Sequence, residues 1–129
     1  MACCLLISVP AQKKPANLGL KRQAIENLEG KYDDLTSLSD KIWAYEEIAF
    51  QENKSAAALI DYAEAQGFKV TSGVAEIPTA FVAEYGSGAP IIGIMGEFDA
   101  LPGLSQKTVP VKDPLNAGSA GHGCGHNLF

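Results

Sequence analysis

Residues Ile91-Ile92-Gly93-Ile94-Met95-Gly96 are apolar or glycine at every position, and that run constrains the fold more than any other part of the chain. A strand with one wet face alternates apolar and polar side chains, whereas a run without a polar position has to be covered on both faces. The run opens at Pro90 and predicts a buried central strand. The segment before it, residues 80–85, alternates, with Phe81, Ala83 and Tyr85 on one face. Gly86-Ser87-Gly88 reads as the turn that pairs these two strands. Residues 69–72 form a weaker, shorter strand candidate.

Upstream of Gly67 the period is helical. From about residue 18 to 45, Leu20, Ala24, Ile25, Leu28, Tyr32, Leu35, Leu38, Ile42 and Tyr45 recur at three- and four-residue steps, which places them on one stripe. Asn17 is the N-cap candidate. Gly30 interrupts the pattern at a cost of about 1 kcal/mol relative to Ala, so the segment is two helices or one kinked helix. A further helix is expected over residues 54–66, capped by Asn53, with Ala56, Ile60 and Ala63 toward the core. Gly67 supplies its left-handed C′ position, and Phe68 packs back onto it. Two or three helices followed by a sheet give an α/β or α+β class.

A chain of 129 residues is one domain or part of one. Its 47% hydrophobic and 19% charged residues exclude disordered, collagen-like and coiled-coil classes. The net charge is −5 and the basic residues are scattered, so there is no stripe for phosphates and nucleic acid is not an expected partner. The apolar residues 1–9 are too few to span a membrane, and no membrane partner is expected. They resemble the hydrophobic region of a secretory signal without its charged start, with Val9 and Ala11 placed as small residues before a cleavage point; the alternative is an N-terminal tail. Cytoplasmic and exported locations both stay open. Residues 1–17 are therefore set aside, and residues 18–129 carry the fold. The chain stops one residue after Leu128, directly after its richest chemistry, and reads as a fragment of a longer protein.

That chemistry is His122-Gly123-Cys124-Gly125-His126, which holds both histidines and one of the three cysteines. In an extended segment alternate side chains point the same way, so all three can converge. Thiolate and imidazole suit a borderline metal such as zinc at about 2.0–2.3 Å, and the glycines let the backbone bend closely. Two alternatives remain. One is a glycine-rich loop whose histidines make ordinary hydrogen bonds; the other is Cys124 as a nucleophile with His122 or His126 as its base. Cys3 and Cys4 belong to the apolar N-terminal run. Glu97 and Asp99 alternate after the buried run, so they share a face with Phe98 on the other, as metal-ligating or proton-handling carboxylates or as a solvated pair. Glu46, Glu47 and Glu52 flank Phe50 and read as a solvated helix end.

Three runs carry a family resemblance: Glu76-Ile77-Pro78-Thr79-Ala80-Phe81-Val82-Ala83, Gly96-Glu97-Phe98-Asp99-Ala100-Leu101-Pro102-Gly103-Leu104-Ser105-Gln106, and Gly121-His122-Gly123-Cys124-Gly125-His126-Asn127-Leu128. They closely resemble the N-terminal part of the p-aminobenzoyl-glutamate hydrolase-like amidohydrolases, a group within the wider family of metal-dependent aminoacylases, carboxypeptidases and amidohydrolases. The resemblance starts near Ala24, takes in Ile42-Trp43 and Phe50-Gln51-Glu52, and runs to Phe129. It implies the N-terminal part of a di-metal aminopeptidase- or carboxypeptidase-like α/β catalytic domain, truncated here, with a smaller inserted dimerisation domain in the whole protein. It further implies two manganese or zinc ions, an N-acyl amino acid or dipeptide substrate, and a homodimer or hetero-oligomer.

Carried over residue by residue, Cys124 and His126 match two metal ligands, and Asp99, the candidate catalytic residue, matches the aspartate that supports the metal site. Glu97 stands where more distant relatives have a ligand histidine, and His122 lies near the site. Related sequences usually have proline where this chain has Glu46. The glutamate pair that supplies the general base would lie beyond Phe129, so the 129-residue polypeptide is expected to be inactive alone. A non-catalytic metal-binding or partner-binding module, with Cys124 and His126 holding a structural ion, is the alternative.

Overall fold

The computed structural model describes residues 17–129, so the readings made for residues 1–16, including Cys3, Cys4 and the signal-like run, lie outside the described residues. The chain divides into two compact units, Met1–Tyr32 and Asp33–Phe129. In the first, helix α1 spans Leu18–Glu29 and ends at Gly30, whose N–H bonds back to the Glu26 carbonyl at 3.0 Å. Asn17 takes the N-cap position but makes no side-chain cap, only a backbone bond from Lys21 N–H to its carbonyl. Leu20, Ile25 and Leu28 of the expected stripe are all exposed. The interruption at Gly30 resolves into two helices, because α2 begins afresh and spans Tyr32–Tyr45.

Helix α2 carries Ile42, one of three buried apolar residues among those described, with Ala56 and Ala100. Helix α3 spans Asn53–Ala65, starting one residue earlier than its periodicity suggests. Asn53 is its first helical residue rather than its cap, and the side chain of Glu52, which holds the cap position, does not cap either. Both roles pass to Glu47, described below. At the other end Gly67 adopts φ +87° and Phe68 N–H returns to the Ala63 carbonyl at 3.1 Å, so the expected left-handed stop is present.

Strands β1 (Lys69–Ser72) and β2 (Phe81–Glu84) pair antiparallel, with Lys69 opposite Glu84 and Ser72 opposite Phe81. The weaker strand candidate is thus the true partner of the clearer one. A two-stranded ribbon is marginal by itself. It is braced by the Phe68 ring against Tyr85 at 5.2 Å and the Phe81 ring against Phe98 at 6.0 Å.

The central strand expected at Ile91–Gly96 does not form, nor does its hairpin through Gly86-Ser87-Gly88. Ile91, Ile92, Ile94 and Met95 are 92, 81, 96 and 90% exposed. The reason is the one that made the run informative: a segment apolar on both faces needs covering layers on each side and a neighbour to bond its backbone. Among the described residues, three helices and one short ribbon supply neither. The architecture is helices followed by a small antiparallel sheet, as in a truncated α/β domain.

Candidate metal centre

The acidic segment after the exposed run is held from two sides. Ala100 N–H donates to the Glu47 carbonyl at 2.7 Å, while Leu101 N–H donates to the Gly121 carbonyl and the Leu101 carbonyl accepts Gly121 N–H in return, at 2.9 and 3.0 Å. Successive amides pointing to opposite neighbours are the signature of an inner strand, here shortened to two residues. Ala100 is 1% exposed because both neighbours close on it.

Glu47 does a second job. Its carboxylate accepts Lys54 N–H at 3.0 Å, Ser55 N–H at 2.8 Å and the Ser55 hydroxyl at 2.9 Å. These are free donors of the first turn of α3, so a residue outside the helix caps it. Burial pushes the Glu47 pKa up, but the Lys54 and Ser55 hydrogen bonds and the Lys54 charge outweigh it, and the pKa lies below its ordinary value. The solvated reading of these acids is therefore corrected: Glu47 is a cap and Glu52 is buried. Glu46 sits at φ +52°, a conformation closed to proline, whose ring fixes φ near −65°.

The C-terminal segment is anchored on α2. His122 Nε2 donates to the Ile42 carbonyl at 3.0 Å, and Asn127 Nδ2 donates to Ser39 Oγ at 3.0 Å. Ile42 lies in the last turn of α2, where carbonyls have no helical partner. His122 thus makes an ordinary hydrogen bond with one nitrogen, while its buried Nδ1 has no partner among the described residues. Gly125, at φ +73°, then turns the chain into the short 3₁₀ turn His126–Leu128.

These anchors bring Glu97, Asp99 and His126 together, with one potential ligand atom from each within 4.8 Å of the others. His126 Nδ1 lies 2.8 Å from Asp99 Oδ1, and its Nε2 lies 3.2 Å from Glu97 Oε2. A carboxylate only accepts, so Nδ1 carries the proton toward Asp99. The imidazole and Asp99 are largely shielded, whereas Glu97 is exposed. Without a second ring proton, Nε2 and the Glu97 oxygen face each other as two electron-rich atoms. That arrangement fits a shared divalent cation, with Asp99 orienting the ring as carboxylates orient ligand histidines.

Of the residues singled out from sequence, Glu97, Asp99 and His126 are gathered, with Phe98 turned away onto Phe81. Cys124 is exposed and not a member of that group. Sequence reasoning missed the anchoring roles of Ser39 and of the Ile42 carbonyl and the capping role of Glu47, whose partners lie 88, 80 and eight residues away. No local pattern announces such pairings.

No family model matches the chain. It is 43% identical over 103 residues to a subunit of p-aminobenzoyl-glutamate hydrolase, the one lettered B, of Escherichia coli (strain K12), an alignment covering 79% of this chain and 21% of that protein. Over 108 residues it is 27% identical to YhaA of Bacillus subtilis (strain 168), which carries an amidohydrolase name, covering 84% and 27%. Over 139 residues it is 30% identical to the Xaa-Arg dipeptidase of Mus musculus, covering 93% and 28%. The chain spans about a fifth to just over a quarter of the length of these relatives. By these similarities the chain belongs to the amidohydrolase and peptidase family that includes p-aminobenzoyl-glutamate hydrolase.

Proposed function

We propose that this chain supplies the first part of the metal site of an amidohydrolase that cleaves the amide bond of an N-acyl amino acid or dipeptide-like substrate. p-Aminobenzoyl-glutamate is the best single candidate, since the 43% identical relative is named for it. The observation that carries the reading is the convergence of Glu97, Asp99 and His126. Glu97 and the Nε2 of His126 would hold a divalent ion, manganese or zinc. Cys124, two residues from His126 on a glycine-flanked segment, would join as a further ligand of a two-ion site. When bound, such ions polarise the scissile carbonyl and acidify a water.

Asp99 does not touch substrate in this scheme. It holds the Nδ1 proton, so that Nε2 presents its lone pair to the ion. Among the described residues no further carboxylate joins these three as a proton acceptor, so the general base would come from outside the 129 residues.

The test is metal uptake and hydrolysis by the purified chain. Zn²⁺ or Mn²⁺ should bind, Asp99→Asn should weaken binding by roughly 10–100-fold, and Cys124→Ser should weaken it as well. Hydrolysis of p-aminobenzoyl-glutamate should be absent from the 129-residue chain and appear only in a longer polypeptide read from the same frame. Absence of metal binding sinks the reading. Turnover by the 129 residues alone refutes the missing base, and a longer polypeptide that binds metal without hydrolysing any N-acyl amino acid favours a non-catalytic module.

A further inference from the structure

Between the two legs that carry the site, residues 105–119 form a loop organised around one side chain. Gln106 Nε2 donates into the carbonyls of Val111 at 2.7 Å, Lys107 at 3.1 Å and Val109 at 3.4 Å, while its Oε1 accepts Asp113 N–H at 3.1 Å. A side-chain amide with two donor protons thus serves three carbonyls on one edge and an amide on the other. Lys107 N–H bonds to the Asp113 carbonyl at 2.9 Å, and its ammonium meets both Asp113 carboxylate oxygens at 2.8 and 2.9 Å.

The loop closes onto its legs at Ser105. That residue is 6% exposed, its N–H donates to the Ser119 carbonyl at 3.0 Å, and its Oγ accepts Asn116 N–H at 3.2 Å. Below this closure Leu101 pairs with Gly121. Four residue steps on one leg therefore span the same distance as two on the other. The surplus at Pro102-Gly103 arches Leu104 over Gly121 and Gly123, where an added Cβ at either glycine would strike Leu104. Asp99 lies two residues below the Leu101–Gly121 pair on one leg, and His126 lies five residues below it on the other.

We propose that this loop is a register clamp for the Glu97–Asp99–His126 site and that Gln106 is its positioning residue. The proposal rests on the metal-site reading for its functional meaning. Slipping one leg by a single residue moves it by about 3.3 Å and turns alternate side chains to the opposite face. A 2.8 Å bond between Asp99 and His126 does not survive that displacement. The exposed Lys107–Asp113 pair adds little, because exposed ion pairs are worth little. The weight falls on the amide of Gln106, which is half-buried and ties residues 107, 109, 111 and 113 together inside the loop that Ser105 closes onto Ser119 and Asn116.

The variant Gln106→Leu keeps the bulk and removes every one of these bonds, while Gln106→Glu keeps the acceptor for Asp113 N–H and loses the donors. Three readouts on the whole chain are compared: Zn²⁺ affinity, hydrogen exchange at the Leu101 and Gly121 amides, and persistence of the His126 Nδ1 proton by NMR. In Gln106→Leu, Zn²⁺ affinity and amide protection are expected to fall at least about tenfold and the ring proton to be lost, with helical circular dichroism unchanged. Gln106→Glu should fall between, and it decides the matter if Gln106→Leu does not fold. Unchanged affinity and an unchanged ring proton in a folded variant overturn the clamp. If the unsubstituted chain takes up no Zn²⁺, the metal reading fails on its own, and the ring proton alone decides: its loss in the variant supports the clamp and its retention overturns it.

Discussion

At the residue scale, Glu47 connects more of the molecule than its place in the sequence suggests. Its carbonyl holds Ala100 and its carboxylate starts α3. Removing an N-cap costs about 0.5–2 kcal/mol, so Glu47→Ala should lower stability by about 1 kcal/mol and fray the Lys54–Ser55 turn, as read by chemical denaturation and amide exchange. The pH dependence follows from the lowered folded pKa. The stabilisation is complete above the ordinary value of 4.5, fades as pH falls below it, and is gone once pH has passed below the lowered folded value. In the Glu47→Ala chain that acid-limb loss should be absent; an identical acid titration of stability in both chains contradicts the assignment. Spacing alone left Glu47 among three interchangeable acids. Its role depends on the left-handed turn at Glu46 and the chain reversal at Phe50, φ +65°, which swing residue 47 under the start of α3.

At the scale of elements, the β1–β2 ribbon is braced by two aromatic contacts in addition to its own hydrogen bonds. Phe81 is the link to the acidic segment through Phe98. Aromatic pairs contribute about 0.5–1.5 kcal/mol beyond the area they bury. Phe81→Ala is therefore expected to cost about 1–3 kcal/mol locally and to speed amide exchange at Thr71 and Val82, which lie opposite each other, together. Exchange rates in the ribbon that do not move would show that the pairing with Phe98 carries nothing. The helices were legible from period and from glycine: Gly67 takes the left-handed stop after α3, while Gly30 marks the end of α1 in a right-handed conformation. The pairing of β1 with β2 was less so. Strand order is a question of which neighbour arrives, and the strongest candidate, Ile91–Gly96, has none among the described residues.

At the scale of the whole molecule, the exposed Ile91, Ile92, Ile94 and Met95 are the largest departure from what a folded chain normally shows. Uncovered apolar residues on a segment with no strand partner promote association between copies. The chain should self-associate as concentration rises, and Ile92→Lys combined with Ile94→Lys should shift that onset to higher concentration in sedimentation or light scattering without altering helical circular dichroism. Equal association in the double variant would place the contact elsewhere.

The sequence by itself determined which segments are helical, that residues 122–126 concentrate the metal-capable side chains, and that Glu97 and Asp99 share a face, because these follow from local period and residue chemistry. Only the tertiary structure decided that His126 meets both acids, that Cys124 lies outside that group, and that the apolar run stays uncovered. Each of those depends on contacts between segments many residues apart, which are fixed by the partners a segment finds and not by its own pattern.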